Sequence, residues 1–114
     1  MTPASLHVVG LGPGDAACLT PQARTVLSQA TCVAGYNLYM ELVPPELLAG
    51  KQCISTGMRH EEERCAAAVE AALGGHPTAL VCSGDSGIYA LAGLALEVLE
   101  AKGLVGTVPF GVVP

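Results

Sequence analysis

Short apolar runs alternate with amphipathic helical patterns along this chain of 114 residues. Five runs have the length and composition of buried β-strands, at residues 7–11, 32–36, 52–56, 78–82 and within 106–113. Three stretches between them repeat apolar residues at the spacing of a helix face, at residues 21–30, 61–73 and about 88–102. The alternation predicts an α/β fold in which a mostly parallel five-stranded sheet has helices on both faces.

Local signals support these boundaries. Thr20 and Pro21 supply an N-cap and a proline at the first helical position. Three glutamates open the pattern at residues 61–63, where the helix dipole favours anions. The prolines at residues 44 and 45 limit residues 38–48 to short helical pieces.

Two glycine-rich loops follow predicted strands. Residues 10–15 read GLGPGD after the first strand, and residues 83–91 read SGDSGIYAL after the fourth. Because ligands bind at the carboxyl ends of parallel strands, we expect both loops to border one site. Asp85 is the one charged residue of the second loop. The helix that begins near Ile88 would direct its N-terminal amides toward the same site. An alternative role for Asp85 is to cap that helix.

The first loop fits neither of two common phosphate-binding motifs. A dinucleotide fingerprint needs a small residue where Asp15 stands, and Pro13 removes an amide donor. A P-loop fails as well, because no Gly-Lys-Ser/Thr follows and no lysine lies near either loop. The loop therefore suits a neutral or cationic ligand better than a phosphate.

Composition excludes several partner classes. The formal net charge is −5, and the five scattered cations form no basic stripe, which argues against nucleic acid. No apolar run reaches the roughly 18 residues of a membrane span, and the first residues show no charged region followed by a long apolar stretch. We expect a cytoplasmic protein without a membrane partner, and its low aromatic content of 4% predicts an aliphatic core.

The cysteines and histidines show no metal-ligand spacing. Five cysteines occur singly and in odd number, which argues against a disulfide framework and against a zinc site. We expect no metal and a packing role for the four cysteines in strand-like or helical runs, which are Cys32, Cys53, Cys65 and Cys82.

Four stretches carry a resemblance to a known family. VGLGPGD at residues 9–15, followed by LTP at 19–21, and SGD at 83–85 resemble the tetrapyrrole methyltransferases, which use S-adenosylmethionine. GYNLY at residues 35–39 and GMRHE at 57–61 with Arg64 look like the branch of precorrin-3B C17-methyltransferases, as does SGDSGIY at residues 83–89. That branch contracts the macrocycle during cobalamin biosynthesis. The resemblance covers essentially the whole chain.

The resemblance implies an N-terminal tetrapyrrole methylase domain at residues 1–114, with the second α/β domain of the family absent from this chain. Members of the family bind S-adenosylmethionine between two domains, so this chain is expected to hold about half of that site. A precorrin or its cobalt-containing equivalent is the implied substrate, S-adenosylhomocysteine the implied product, and a homodimer the implied assembly.

The resemblance also implies site residues. Against S-adenosylmethionine it places Pro13 and the backbone of Gly84, Asp85 and Ile88, with Ser83 beside them. Three polar residues near predicted strand ends are catalytic candidates for the proton transfers of ring contraction, namely Tyr36, Arg59 and Glu61.

Three further residues are substrate-binding candidates, namely Asp15, Tyr39 and Arg64. The arginine would pair with a carboxylate arm of the substrate. Two alternatives stay open: Arg64 pairs with Glu61 on one helix face, and Asp15 organises its own turn.

The predicted function is S-adenosylmethionine-dependent methylation at C17 of a cobalamin precursor with ring contraction, which converts precorrin-3B or its cobalt equivalent to precorrin-4. The alternatives are a methyltransferase for another tetrapyrrole position and, for these residues alone, an inactive ligand-binding or dimerisation module.

Overall fold

A computed structural model of the protein describes residues 3–12, 19–83 and 86–114. Its five strands are β1 (Leu6–Gly10), β2 (Cys32–Tyr36), β3 (Gln52–Thr56), β4 (Thr78–Cys82) and β5 (Phe110–Val113). Its helices are α1 (Pro21–Gln29), α2 (Asn37–Met40), α3 (Glu61–Leu73) and α4 (Ser86–Ala101), with a 3-10 turn at Pro45–Leu47. The predicted order of elements is confirmed.

The strands form one sheet in the order β3-β2-β4-β1-β5, and every neighbouring pair is parallel. The predicted fold class is confirmed, with a sheet that is parallel throughout. Connections from β1 to β2 and from β2 to β3 run toward one edge, whereas those from β3 to β4 and from β4 to β5 run back. Because crossovers are right-handed, α1 and α2 cover one face and α3 and α4 cover the other.

The core divides into two clusters, one on each face of the sheet. One cluster joins α3 and α4 to the sheet and contains Ala68, Leu80 and Ala95. The other joins α1 to the sheet and contains Leu27 and Val81. Neighbouring residues of β4 thus enter opposite clusters, as the two-residue period of a strand requires.

Local capping explains where α1 begins. The Thr20 hydroxyl accepts a hydrogen bond of 3.1 Å from the Ala23 amide, and Pro21 follows at the first helical position. Several predicted boundaries shift by one or two residues, among them the starts of β1 and α4. β1 runs from Leu6 rather than residue 7, because Leu6 pairs with residues of both β4 and β5, and α4 begins at Ser86 rather than near Ile88.

The cysteine prediction is confirmed for three residues and wrong for one. Cys32, Cys65 and Cys82 are buried, and burial raises the pKa of Cys65 to about 11. Cys53 is exposed on β3, an edge strand of the sheet, whereas four of the five residues of the interior strand β2 are buried.

Within the ranges that the structure describes, no helix is long and apolar enough to cross a membrane. In the same ranges, no three His, Cys, Asp or Glu side chains come together as a metal-binding group.

Candidate functional site

The glycine-rich loops leave the sheet from neighbouring strands. Gly10 at the end of β1 pairs with Cys82 at the end of β4, and the Leu11 amide donates a 2.8 Å hydrogen bond to the Cys82 carbonyl. β1 connects toward β2 and β4 connects toward β5, so the loops that follow both strands begin side by side at the carboxyl edge of the sheet. The loop positions predicted to bind ligands there lie outside the described residues; they are Pro13, Asp15, Gly84 and Asp85.

Two adjoining cavities lie at this carboxyl edge, on the side of α3 and α4. The larger, of about 280 Å³, is lined by Tyr39, Glu61, Arg64, Cys82, Ser83, Ala90, Leu91 and Leu94. The smaller, of about 180 Å³, is lined by Tyr36, Tyr39, Met58, Glu61 and Arg64. They share Tyr39, Glu61 and Arg64, and we refer to both together as the carboxyl-edge cavities.

Arg64 is the buried cation of these cavities. Its side chain is only 4% exposed, although it lies in the first turns of α3 among exposed glutamates. Its Nε donates a 2.7 Å hydrogen bond to the Thr56 hydroxyl, and its Nη2 donates one of 3.3 Å to the Gly57 carbonyl. Among the described residues Arg64 forms no salt bridge, so the alternative pairing with Glu61 is not formed.

Two tyrosines stand beside this cation. The rings of Tyr36 and Tyr39 meet edge to face, with centroids 5.2 Å apart and an interplanar angle of 88°. The guanidinium carbon of Arg64 lies 5.9 Å from the Tyr36 ring centroid, within the range of a cation–π contact. Aromatic faces next to a buried cation suit a flat apolar ligand that carries an anionic group.

The remaining predicted residues occupy different positions. Ser83 is exposed and lines the larger cavity, and Glu61 is exposed at the start of α3 and lines both. The side chain of Ile88 is 1% exposed and belongs to the core, so only its backbone is available to a ligand. Arg59 is exposed between β3 and α3 with a φ of 68°, and it does not line these cavities.

Several residues of the site were not predicted. Thr56 holds Arg64, Met58 is 68% exposed at the mouth of the smaller cavity, and Leu94 lines the larger one. The available signal for Thr56 was its place at the end of a strand, eight residues before the arginine. Helical periodicity alone assigns Leu94 to a core, because a wall residue and a core residue share the same apolar pattern.

The family described as Tetrapyrrole (Corrin/Porphyrin) Methylases matches residues 5–114. A probable cobalt-factor III C(17)-methyltransferase of Salmonella typhimurium is 48% identical over 99 residues, which are 87% of this chain and 41% of that protein. A cobalt-factor III methyltransferase of Priestia megaterium is 43% identical over 98 residues, which are 86% of this chain and 18% of that protein. The chain therefore spans less than half the length of these relatives.

Solved structures agree with the fold. The crystal structure of the methyltransferase CobJ superimposes with a TM-score of 0.86 at 32% identity, over 97% of this chain and 46% of that one. A uroporphyrin-III C-methyl transferase of Thermus thermophilus, complexed with S-adenyl homocysteine, gives a TM-score of 0.68 at 27% identity, over 96% of this chain and 47% of that one.

Proposed function

This chain belongs to the tetrapyrrole methylase family, and from that premise we propose that it takes part in the S-adenosylmethionine-dependent methylation of C17 in a cobalamin precursor, with contraction of the ring. The observation that carries the proposal is the 48% identity to a probable cobalt-factor III C(17)-methyltransferase. The substrate is cobalt-factor III or its cobalt-free equivalent, precorrin-3B. Since the chain spans 41% of that relative, we propose that it forms one domain of the enzyme.

The carboxyl ends of β1 and β4 border the proposed half-site for S-adenosylmethionine, which enzymes of this family use. The described residues fit such a ligand. Ser83 offers an exposed hydroxyl, and the Ile88 amide lies in the first turn of α4, where backbone donors have no intrahelical partner. We assign Pro13, Gly84 and Asp85 to the same half-site, the carboxylate of Asp85 accepting hydrogen bonds from the ribose or attracting the cationic end of the ligand.

When bound, S-adenosylmethionine supplies a methyl group activated by its sulfonium, and S-adenosylhomocysteine leaves as the new carbon–carbon bond forms. Little acid–base chemistry is required of the protein for that transfer, so positioning of the two ligands dominates. Small residues in both loops allow the ligand to approach the backbone closely.

The carboxyl-edge cavities are the proposed site for the tetrapyrrole. Arg64 meets a carboxylate arm, and Tyr39 presents an aromatic face to the macrocycle. Asp15 is assigned to the same ligand. Burial of Arg64 strengthens an ion pair with the substrate because little water screens it.

Ring contraction requires proton transfers that methyl transfer does not. Tyr36 and Glu61 both line the smaller cavity and are the proposed proton-transfer groups. Arg59 is assigned to the same step from the exposed loop before α3, where its guanidinium is available to the oxygen substituents of a bound substrate.

A labelling experiment tests the activity. The full-length protein is incubated with cobalt-factor III and S-adenosylmethionine carrying a ¹³C methyl group, and the product is analysed by mass spectrometry and carbon NMR. We expect one labelled methyl group at C17. Label at another carbon would favour a methyltransferase for a different tetrapyrrole position, and absence of transfer would overturn the activity.

Calorimetry tests the cofactor half-site. We expect Asp85→Asn to weaken binding of S-adenosylhomocysteine by about tenfold or more, because hydrogen bonds to a charged group contribute about 1.5–3 kcal/mol. Glu97→Gln removes a carboxylate from the exposed face of α4 and serves as the matched control. Equal affinities for both variants would remove Asp85 from the site.

The proposed assembly is a homodimer, as the family resemblance implies. Light scattering after size exclusion measures it directly, and a monomer mass at micromolar concentration would contradict it.

A further inference from the structure

Thr56 is the last residue of β3 and the hydrogen-bond partner of the buried guanidinium of Arg64. The 2.7 Å bond from Nε to its hydroxyl joins an edge strand to α3 across the wall of the carboxyl-edge cavities. Neither the sequence pattern nor the similarity to known proteins assigns a role to Thr56.

Together, three contacts restrict the orientation of the Arg64 side chain. The Thr56 hydroxyl holds Nε, the Gly57 carbonyl holds Nη2, and the Tyr36 ring lies 5.9 Å from the guanidinium carbon. A planar guanidinium held at two nitrogens and approached by a ring has little freedom to rotate. The third nitrogen, Nη1, donates no hydrogen bond to any residue that the structure describes.

Nη1 is nevertheless not sealed inside the protein. In the described part of the chain, no side-chain nitrogen or oxygen is both fully buried and without a hydrogen-bond partner. Since Arg64 lines both carboxyl-edge cavities, its free N–H groups open toward them. A cation that is 4% exposed and forms no salt bridge there gains most from an anionic ligand.

We infer that Thr56 is a positioning residue, whose hydroxyl orients Arg64 so that Nη1 binds a carboxylate arm of the tetrapyrrole in the carboxyl-edge cavities. The inference rests on the proposed function for the class of ligand. It deepens that function by identifying the residue that orients the arginine toward the carboxylate arm of the ligand. In a purely structural role, the same hydrogen bond would tie β3 to α3 and leave ligand affinity unchanged.

The test measures ligand affinity rather than catalysis. Uroporphyrin III, a tetrapyrrole with acetate and propionate arms, is titrated into the full-length protein and its fluorescence is followed. The same porphyrin with its arms converted to amides is the uncharged comparison. The variants are Thr56→Val, which removes the hydroxyl at nearly constant volume, Thr56→Ser, which keeps it, and Arg64→Gln.

We expect Thr56→Val to weaken binding of the carboxylate porphyrin about tenfold, as loss of a hydrogen bond to a charged group predicts. Arg64→Gln should weaken binding at least as much. Thr56→Ser, which keeps the hydroxyl, should bind with wild-type affinity. The amide porphyrin should bind all forms equally. Ser55→Ala removes a hydroxyl from the neighbouring exposed position of β3 and should change neither affinity.

Circular dichroism melting establishes that each variant is folded, and Thr56→Ala replaces Thr56→Val should the latter unfold. The inference would be overturned if the folded Thr56→Val or Thr56→Ala variant bound the carboxylate porphyrin with wild-type affinity. It would also be overturned if Thr56→Ser bound more weakly than the wild-type protein, or if the amide porphyrin showed the same losses. The absence of carboxylate-dependent binding by the wild-type protein would overturn it as well.

Methyl transfer to cobalt-factor III reports separately on the proposed function. If transfer occurs, Thr56→Val should raise the KM for the tetrapyrrole about tenfold and leave the KM for S-adenosylmethionine unchanged. If transfer fails while the porphyrin series behaves as expected, the positioning role stands and the assigned reaction falls.

Discussion

His7 is a half-buried histidine on β1, at the end of the molecule opposite the carboxyl-edge cavities. It lines a cavity of about 150 Å³ with Ser5, Gln29 and Thr78, and its ring lies close to Gly111 of the edge strand β5. Burial lowers the pKa of His7 below its ordinary value of 6.5, because the charged imidazolium loses solvation. Ionisation at this position is therefore coupled to folding.

The first prediction concerns acid stability. Between the lowered folded pKa of His7 and about 6.5, the unfolded chain binds more protons than the folded one. The free energy of unfolding should therefore fall as the pH drops from about 6.5 through the folded pKa, and the contribution of His7 should be complete above that window. His7→Gln should reduce this slope, measured by urea unfolding at pH 5 to 8.

Ser5→Ala is the control, because it alters a residue of the same cavity and keeps the His7 imidazole. Identical pH slopes for His7→Gln and the wild-type protein would show that burial of the imidazole does not contribute to acid sensitivity.

At the residue scale, the structure brings some of the predicted site residues to the carboxyl-edge cavities and leaves others outside them. Tyr36 ends β2, Ser83 follows β4, and both reach the carboxyl edge, as strand ends in a parallel sheet must. Arg59 was also expected near a strand end, but its side chain is exposed and does not line these cavities. Position along the chain predicts the edge and leaves side-chain direction open.

At the scale of elements, β2 and α4 use glycine for different reasons. A Cβ on Gly35 would lie 2.5 Å from the Val81 side chain and 3.2 Å from the Met40 sulfur, so β2 approaches its neighbours too closely for any side chain there. A Cβ on Gly93, in the exposed face of α4, would contact nothing within 4 Å.

The second prediction compares these two glycines. Gly35→Ala should destabilise the protein by about 1–3 kcal/mol, since overpacking forces Val81 or the backbone to move. Gly93→Ala should stabilise it by about 0.5–1 kcal/mol, because alanine is the better helix former. Urea unfolding of both variants measures the difference, and equal effects of the same sign would contradict the packing around β2.

On the scale of the whole molecule, β4 connects the two halves of the core. Leu80 belongs to the cluster under α3 and α4, and Val81 belongs to the cluster under α1. Because one strand contributes to both clusters, disorder of β4 removes packing from both faces of the sheet at once. The described fold should therefore unfold as one cooperative unit.

The third prediction tests this cooperativity with cysteine labelling. Iodoacetamide should modify exposed Cys53 without denaturant, whereas buried Cys32 and Cys65 should react only as urea unfolds the protein, and with one shared midpoint. Leu80→Ala should cost about 2–5 kcal/mol and lower both midpoints together. Peptide mass mapping reads each site, and separate midpoints for Cys32 in β2 and Cys65 in α3 would show that the sheet and this helix unfold independently.

The sequence by itself determined the order of helices and strands, the parallel sheet and the edge of the sheet at which both glycine-rich loops begin. Periodicity, caps and glycine-rich loops are local signals, and strand ends in a parallel sheet share one edge whatever their order. The tertiary structure alone decided that β3 lies at an edge, which exposes Cys53, and that Thr56 meets Arg64. Those outcomes depend on which strands pair over long separations and which faces the helices cover, and no local pattern encodes either choice.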